Sequence, residues 1–195
     1  MPRGNPAAVA LGPGYLYLAT LGSTEPTNTA TGGVFTDAWA AAWVPLGYTE
    51  EGSTQSYAPE YEDVVVAEEL DPIDSIATSR SISVSFGAAE NTSLNYKRAM
   101  NGGTITVTGT APNEIYKFEP PDLGSETLTM IGFESEDHQE RWVWRQCKQV
   151  GSTETARRKG AEKALIPMEF RVFVPDAGGK PFTRWSIRAG ESDGS

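Results

Sequence analysis

The chain has 195 residues and a formal net charge of −10, from 26 acids against 16 lysines and arginines, with one histidine. That length can bury one sizeable core, the 38% hydrophobic and 10% aromatic fractions are those of a globular protein rather than a disordered tail, and no run nears the ~18 apolar residues of a membrane span. The acidity excludes a broad grip on nucleic acid, which needs a Lys/Arg surplus to neutralise phosphates, and the lone Cys147 excludes an intrachain disulfide framework and fits synthesis in a reducing cytoplasm.

In chain order, the opening "MPRGNPAAVALGPGYLYLATLG" is interrupted by Pro6, Gly12, Pro13 and Gly14, so it reads as an N-terminal segment (1–13) with no signal peptide or membrane helix. Residues 22–42 are small, polar and Gly-rich, then carry exposed-looking Phe35 and Trp39. Residues 50–74 combine Tyr57, Tyr61 and the run Val64, Val65, Val66 with nine acids and no cation, among them Glu68, Glu69 and Asp71. Both stretches are long for structureless loops in a small domain, so they read as functional arms that dock on something, or else as edge hairpins folded back on the same domain.

Next, "SISVSF" alternates Ile82, Val84 and Phe86 against serines, a half-buried strand. A helix is expected over about 89–101, with Glu90, Asn91 and Thr92 at its start, Lys97 and Arg98 at its end, and Gly102 and Gly103 stopping it. Ala89, Thr92, Tyr96, Ala99 and Met100 share the stripe expected to face the sheet. Leu94 lies off that stripe, to cover a nearby loop or be covered by a neighbouring subunit. Then "GGTITVTGT" reads as a strand with Ile105 and Val107 on one face. Residues 127–135 and 140–150 form a hairpin around the tip Glu136 to Gln139, "IPMEFRVFVP" puts Met168, Phe170, Val172 and Val174 on one face, and "PFTRWSIR" closes the pattern. Such spacing predicts one mainly β domain, a β-sandwich or barrel, over 1–195.

The inventory for catalysis is thin. His138 sits at a charged hairpin tip where little excludes water, and Cys147 reads as a small strand residue. No histidine-rich metal constellation is possible, the acids of 60–74 lack EF-hand spacing, and the glycine pairs lack the context of a phosphate-binding loop. The reading is therefore no enzyme, no cofactor and no metal. Residues 141–188 are dominated by cations, which with the acidic 50–74 stretch gives two complementary patches and invites self-association.

The block "YAPEYEDVVVAEELDPIDSIATSRSISVSFGAAENTSLNYKRAMNGG", preceded by "VPLGYTEEG", resembles the central part of major tail tube proteins of long, flexible-tailed (siphovirus-type) bacteriophages. The match covers about residues 44–110, and beyond them it is architectural. It implies a β-sandwich with one flanking helix that forms homohexameric rings, stacked into a tube as a virion component assembled in the host cytoplasm. Partners so implied are the tape measure protein, the tail terminator or head–tail connector and tail tip proteins, and viral DNA passing without sticking; no membrane insertion is implied. The C-terminal immunoglobulin-like domain common in such proteins is not expected here. Candidate contacts between subunits or rings are Phe35, Trp39, Tyr57, Tyr61, Val65 and Leu94, with Glu68, Glu69 and Asp71 meeting Arg157, Arg158 and Lys159. The alternatives are another virion-associated β-sandwich, such as a capsid decoration or tail completion protein, and a carbohydrate-binding module using Trp142, Trp144 and Trp185.

Overall fold

The structure, a computed structural model, describes residues 8–10, 12–157, 159 and 163–188. The strands are β1 (Gly14–Thr20), β2 (Ala30–Thr31), β3 (Val34–Phe35), β4 (Val44–Pro45), β5 (Thr49–Val64) and β6 (Asp74–Ala88). After the helix α1 (Ser93–Ala99) come β7 (Thr104–Thr108), β8 (Ile115–Glu119), β9 (Thr129–Ser135), β10 (Glu140–Gln149), β11 (Ile166–Val172) and β12 (Phe182–Ser186). One eight-stranded sheet runs β4-β1-β9-β10-β11-β6-β5, with β12 also pairing to β10; β2–β3 and β7–β8 are separate two-stranded hairpins. All pairings are antiparallel. The expected mainly β fold with one short helix is the one observed.

Alternation builds the core. Leu16 and Leu18 of β1, Ile131 of β9, Trp144 of β10, Phe170 of β11 and Val84 of β6 fall into one buried cluster. These strands are successive neighbours in the sheet, so their inward side chains form one continuous apolar face, with Leu46 and, from the helix, Ala99 in the same cluster, and the near-complete burial of that face fits the layered packing of a β-sandwich. Burial of each large side chain contributes roughly 1.5–3 kcal/mol. Trp142 and Trp144 stack on each other 5.6 Å apart, with Trp144 only 2% exposed, so they serve this core rather than a sugar platform. A bulge between Trp144 and Cys147 inserts an extra residue into β10. Cys147 thereby joins the Trp144 side of the strand and is fully buried.

The opposite face of β1, β9 and β10 carries a smaller cluster of Ala19, Met130 and Val143, with Tyr17 and Trp185 beside it. Segment 22–43 covers this face, so of the two readings of 22–42, an arm docking elsewhere or a stretch folded back on its own domain, the structure has the second, and Phe35 and Trp39 are not exposed contacts. Phe35 is buried, Trp39 is half-buried and stacks on Tyr17 at 4.7 Å, and Trp43 is buried against Trp39. The fastening is polar. Arg141, 1% exposed, donates from Nη1 to Asp37 Oδ1 (2.9 Å), and from Nη2 to the Asp37 carbonyl (2.6 Å) and Glu134 Oε1 (3.1 Å). Its guanidinium lies 4.9 Å from the Phe35 ring centroid, while Trp39 Nε1 donates to Glu134 and His138 Nδ1 meets Glu134 Oε1 at 2.6 Å. Two carboxylates facing one guanidinium allow these charges to be buried at all.

The helix is shorter than expected. Thr92 caps it by accepting from Asn95 N (3.2 Å), and Lys97 and Arg98 occupy its last turn. Glu90 is not part of the first turn; it accepts from Tyr48 N (3.1 Å) beneath Gly47, whose φ of +90° admits no side chain there. The inward stripe differs too. Asn95, Arg98 and Ala99 are buried, and Met100 is 36% exposed. Arg98 turns inward and donates to the carbonyls of Val44 (3.1 Å) and Pro45 (3.2 Å) on the edge strand β4 and to Asn95 Oδ1 (2.8 Å). Burial pushes its pKa down to about 10, with Glu90 pulling the other way, so it stays charged at neutral pH.

Two predictions concern this frame. Arg141→Ala leaves Glu134 and Asp37 without their cation and should cost about 3–5 kcal/mol in urea unfolding, with a red shift of tryptophan emission as Trp39 is released; a cost below about 1 kcal/mol would mean the network does not hold the segment. The second concerns pH. Desolvation works to raise the pKa of Asp37, Asp137 and Glu140, but it is outweighed by the Asn28 N–H and Arg141 at Asp37, by Ser135 and Arg188 at Asp137, and by Arg184 and Trp142 at Glu140, so all three end below their ordinary values. Their stabilisation is fully present above the ordinary carboxylate range near pH 4 and is lost as the pH falls through the lowered folded values. The urea midpoint should therefore drop from pH 5 to pH 3, and Asp37→Asn should flatten part of that drop.

Candidate assembly surfaces

Strands β5 and β6 pair from Thr49↔Ala88 to Val64↔Asp74, yet the other side of β6 is bonded to β11 only over Ser83–Ala88. The stretch expected as a structureless loop at 50–74 is thus mostly one strand of a hairpin, and "SISVSF" is the root of its partner. Beyond Ile82 the two strands run on alone for about 25 Å, and residues 58–63 and 74–80 are all exposed. A two-stranded ribbon of this kind is marginal in water by itself.

Pairing fixes its faces. Ile82, buried in the core, lies opposite Tyr57, and the same face continues with Pro59 opposite Arg80 and Tyr61 opposite Ala77. Tyr57 is 52% and Tyr61 62% exposed. The other face carries Glu60 opposite Ser79, joined by a 2.5 Å hydrogen bond, then Glu62 opposite Ile76 and Val64 opposite Asp74. At the turn, Val65, Glu68, Glu69 and Asp71 are exposed and Leu70 is completely so. Six of the predicted contact residues, Tyr57, Tyr61, Val65, Glu68, Glu69 and Asp71, are thus brought together on this one arm.

A second uncovered surface was not expected. The β7–β8 hairpin stands outside the main sheet. "IYKFE" of β8 alternates like a strand but is short enough to pass as loop. At its root Phe118 stacks on Tyr96 of α1, 6.4 Å between centroids; further out, Val107 and Tyr116 face each other across the hairpin at 48% and 56% exposure. Ile105 and Val107 do share one face, but only its root is covered, because the hairpin outreaches the helix that packs on Ile105 and Phe118. Gly103, at φ +104°, turns the chain into β7 where an added Cβ would meet the Glu119 carbonyl. Leu94 is 42% exposed on α1. Beside the helix, the Tyr96 hydroxyl meets Thr155 Oγ1 at 3.4 Å, and that bond and Arg157 help lower its pKa.

The cationic patch expected over 141–188 largely dissolves. Arg141, Arg145, Lys148, Lys163, Arg184 and Arg188 are in ion pairs with acids of the same chain. Arg157 and Lys159 are exposed and make no ion pair to an acid among the described residues, while Arg158 lies outside those residues. Phe35 and Trp39 act inside the subunit, as above.

Nothing converges toward catalysis among the described residues. The Cys147 thiol is pushed well above its usual pKa by burial and donates to the Trp144 carbonyl. His138 lies on the opposite face of the sheet, engaged by Glu134 and accepting from Phe35 N through its carbonyl (2.8 Å). A groove of about 860 Å³ between the start of β1 and the root of β5 is lined by Tyr15 and Tyr48 with Glu50, Glu51, Glu90 and Glu136, and no histidine, lysine or cysteine among the described residues lines it. No group of three metal-ligating side chains occurs among the described residues.

Among the described residues, the uncommitted features of this mainly β chain are uncovered faces and strand edges, the kind of surface through which subunits associate. The chain belongs to the phage tail tube proteins: the family model of that description matches residues 1–187. No curated protein matches it. It is accordingly a structural component of a phage tail, of a kind that self-assembles into a tube, and its family points away from catalysis.

If the arm is uncovered in the isolated subunit, its amides should exchange early. Hydrogen exchange of the unassembled protein should show residues 58–64 and 74–81 deuterated orders of magnitude faster than 82–88 and 166–172. Equal protection across all of β6 would show that something in the subunit covers the arm.

Proposed function

We propose that this chain is the tail tube subunit of a long, flexible-tailed phage, forming homohexameric rings that stack around the tape measure protein, end at terminator and tip proteins, and conduct viral DNA. The reading treats the chain as one tail tube domain whose arm, including the acidic 50–74 stretch, reaches a neighbouring ring. The observation that carries it is the β5–β6 arm. It outruns its own sheet and exposes both faces, so a surface on another copy is what completes it. The long outer edge of β5, the last strand of the sheet among the described residues, suits closure of sheets into a continuous barrel, which removes edges. The charge of −10 suits a conduit, since like charge keeps a passing duplex from adhering.

Concentrated protein examined by negative-stain electron microscopy and size-exclusion chromatography should show hollow tubes or stacked rings. A closed ring or trimer that never stacks would favour a decoration or completion protein instead. Glu68→Lys with Glu69→Lys, at the exposed tip, should reduce tube yield by removing attraction to cations such as Arg157 and Lys159. Unchanged yield would remove that assignment.

A further inference from the structure

Both projecting hairpins share one design. In the arm, the face rooted at buried Ile82 runs outward through Tyr57 to Tyr61; in β7–β8, the face rooted at Phe118 against Tyr96 runs outward to Val107 and Tyr116. Each is an apolar face begun by the subunit's own packing and left uncovered further out. The opposite face of the arm is different: Glu60, Glu62 and Asp74 share it with no cation. On the tyrosine face, Asp63 and Arg80 balance each other.

We infer that the arm docks on a second copy of this chain by its tyrosine face, and that the surface receiving it is the uncovered face of β7–β8 together with the adjoining α1 and residue 157. This rests on the tube reading and adds which face is buried and where. Three arguments carry it. Burying the three-acid face would desolvate Glu60, Glu62 and Asp74 together with no cation on the arm itself to offset them, and the apolar Val107 and Tyr116 opposite offer none. The tyrosine face buries two large amphipathic rings that give contact area at small entropic cost and can keep their hydroxyls hydrogen-bonded. Charge also matches at the α1 end: the arm tip carries Glu68, Glu69 and Asp71, and the receiving surface carries Lys97 at the end of α1 and Arg157 beside Tyr96, while Glu114, an acid next to the apolar face, accepts from the Tyr116 hydroxyl (2.8 Å) further out. Donor and receiving surfaces are different parts of the molecule, so the contact is head-to-tail. Such a contact is not limited to a pair of copies: it propagates along an axis unless its rotation closes a ring, and propagation is what stacking requires.

Tube growth followed by light scattering and electron microscopy tests this with three double variants of the full chain, each checked for an unchanged urea midpoint. Tyr57→Ala with Tyr61→Ala should raise the critical concentration at least about tenfold, and Val107→Ala with Tyr116→Ala should do the same. Glu60→Gln with Glu62→Gln should leave growth intact. Mixing the two defective variants should yield short discrete stacks and no tubes, because each retains one half of the contact. Wild-type growth from both tyrosine variants, or loss confined to the glutamine pair, would overturn the docking and leave the tube reading standing; absence of tubes from the wild type would remove both.

Discussion

Strand β6 is asked to do two jobs along one length. From Ser83 to Ala88 it is bonded on both sides, to β5 and to β11, and puts Val84, Phe86 and Ala88 into the core. From Asp74 to Ser81 it has only β5. The sheet can stop supporting β6 at Ile82 only because β5 is equally long and travels with it, so the ladder stays satisfied on one side when the core ends. The exposed arm, its two chemically distinct faces and its direction of exit follow from that continuity.

The remainder of the fold keeps this root rigid. Phe170 of the neighbouring strand stacks on Phe86 of β6 at 5.7 Å, Trp144 and Ile131 continue the same core, and α1 ties down the β4–β5 connection through Arg98 and Asn95, whose Nδ2 donates to the carbonyls of Leu46 (3.3 Å) and Glu90 (2.9 Å). On the other face of the sheet, Arg141 gathers Asp37, Glu134 and the Phe35 ring, and so holds segment 22–43 over Met130 and Val143. Without that cover, the second face of β9 and β10 would be an open apolar surface competing with the arm for contacts between copies. The inward charge network thus serves specificity, by leaving the projecting hairpins as the uncommitted surfaces.

How much of this could be read from the chain depends on which contacts are local. Strands with one face buried by the subunit announced themselves: Ile82, Val84 and Phe86, or Met168, Phe170 and Val172, alternate because their own core demands it. The outer half of β5 gives no such signal, since neither of its faces is buried within the subunit; "QSYAPEYED" therefore reads as an acidic loop although it is a strand. β1 is obscured for a different reason: Leu16 and Leu18 do alternate into the core, but the glycines and prolines immediately ahead of them make the stretch read as an irregular segment. Segment 22–43 misleads for the opposite reason: its partners, Glu134 and Arg141, lie about a hundred positions away, a separation that composition cannot express. The exposed arm residues Tyr57, Tyr61, Glu68, Glu69 and Asp71 could be picked out because aromatics and acids without a pattern are conspicuous, whereas Val107 and Tyr116 sit in ordinary-looking alternation that conceals their exposure.

The same reasoning bears on when the arm becomes ordered. A ribbon of two strands without a buried face loses backbone entropy of about 1–2 kcal/mol per residue on ordering and recovers little of it until its tyrosines are covered. Under the docking inferred above, that cost falls mainly on the first contact between copies. Later contacts meet arms and receiving faces already held in register by the stack, so addition to an existing tube is favoured over starting a new one. Acidic subunits that repel one another at a distance and gain contact only where tyrosine face meets β7–β8 face would remain dispersed until a correctly placed receiving surface is present. Arm length, face chemistry and net charge then act together to make growth conditional on an ordered end.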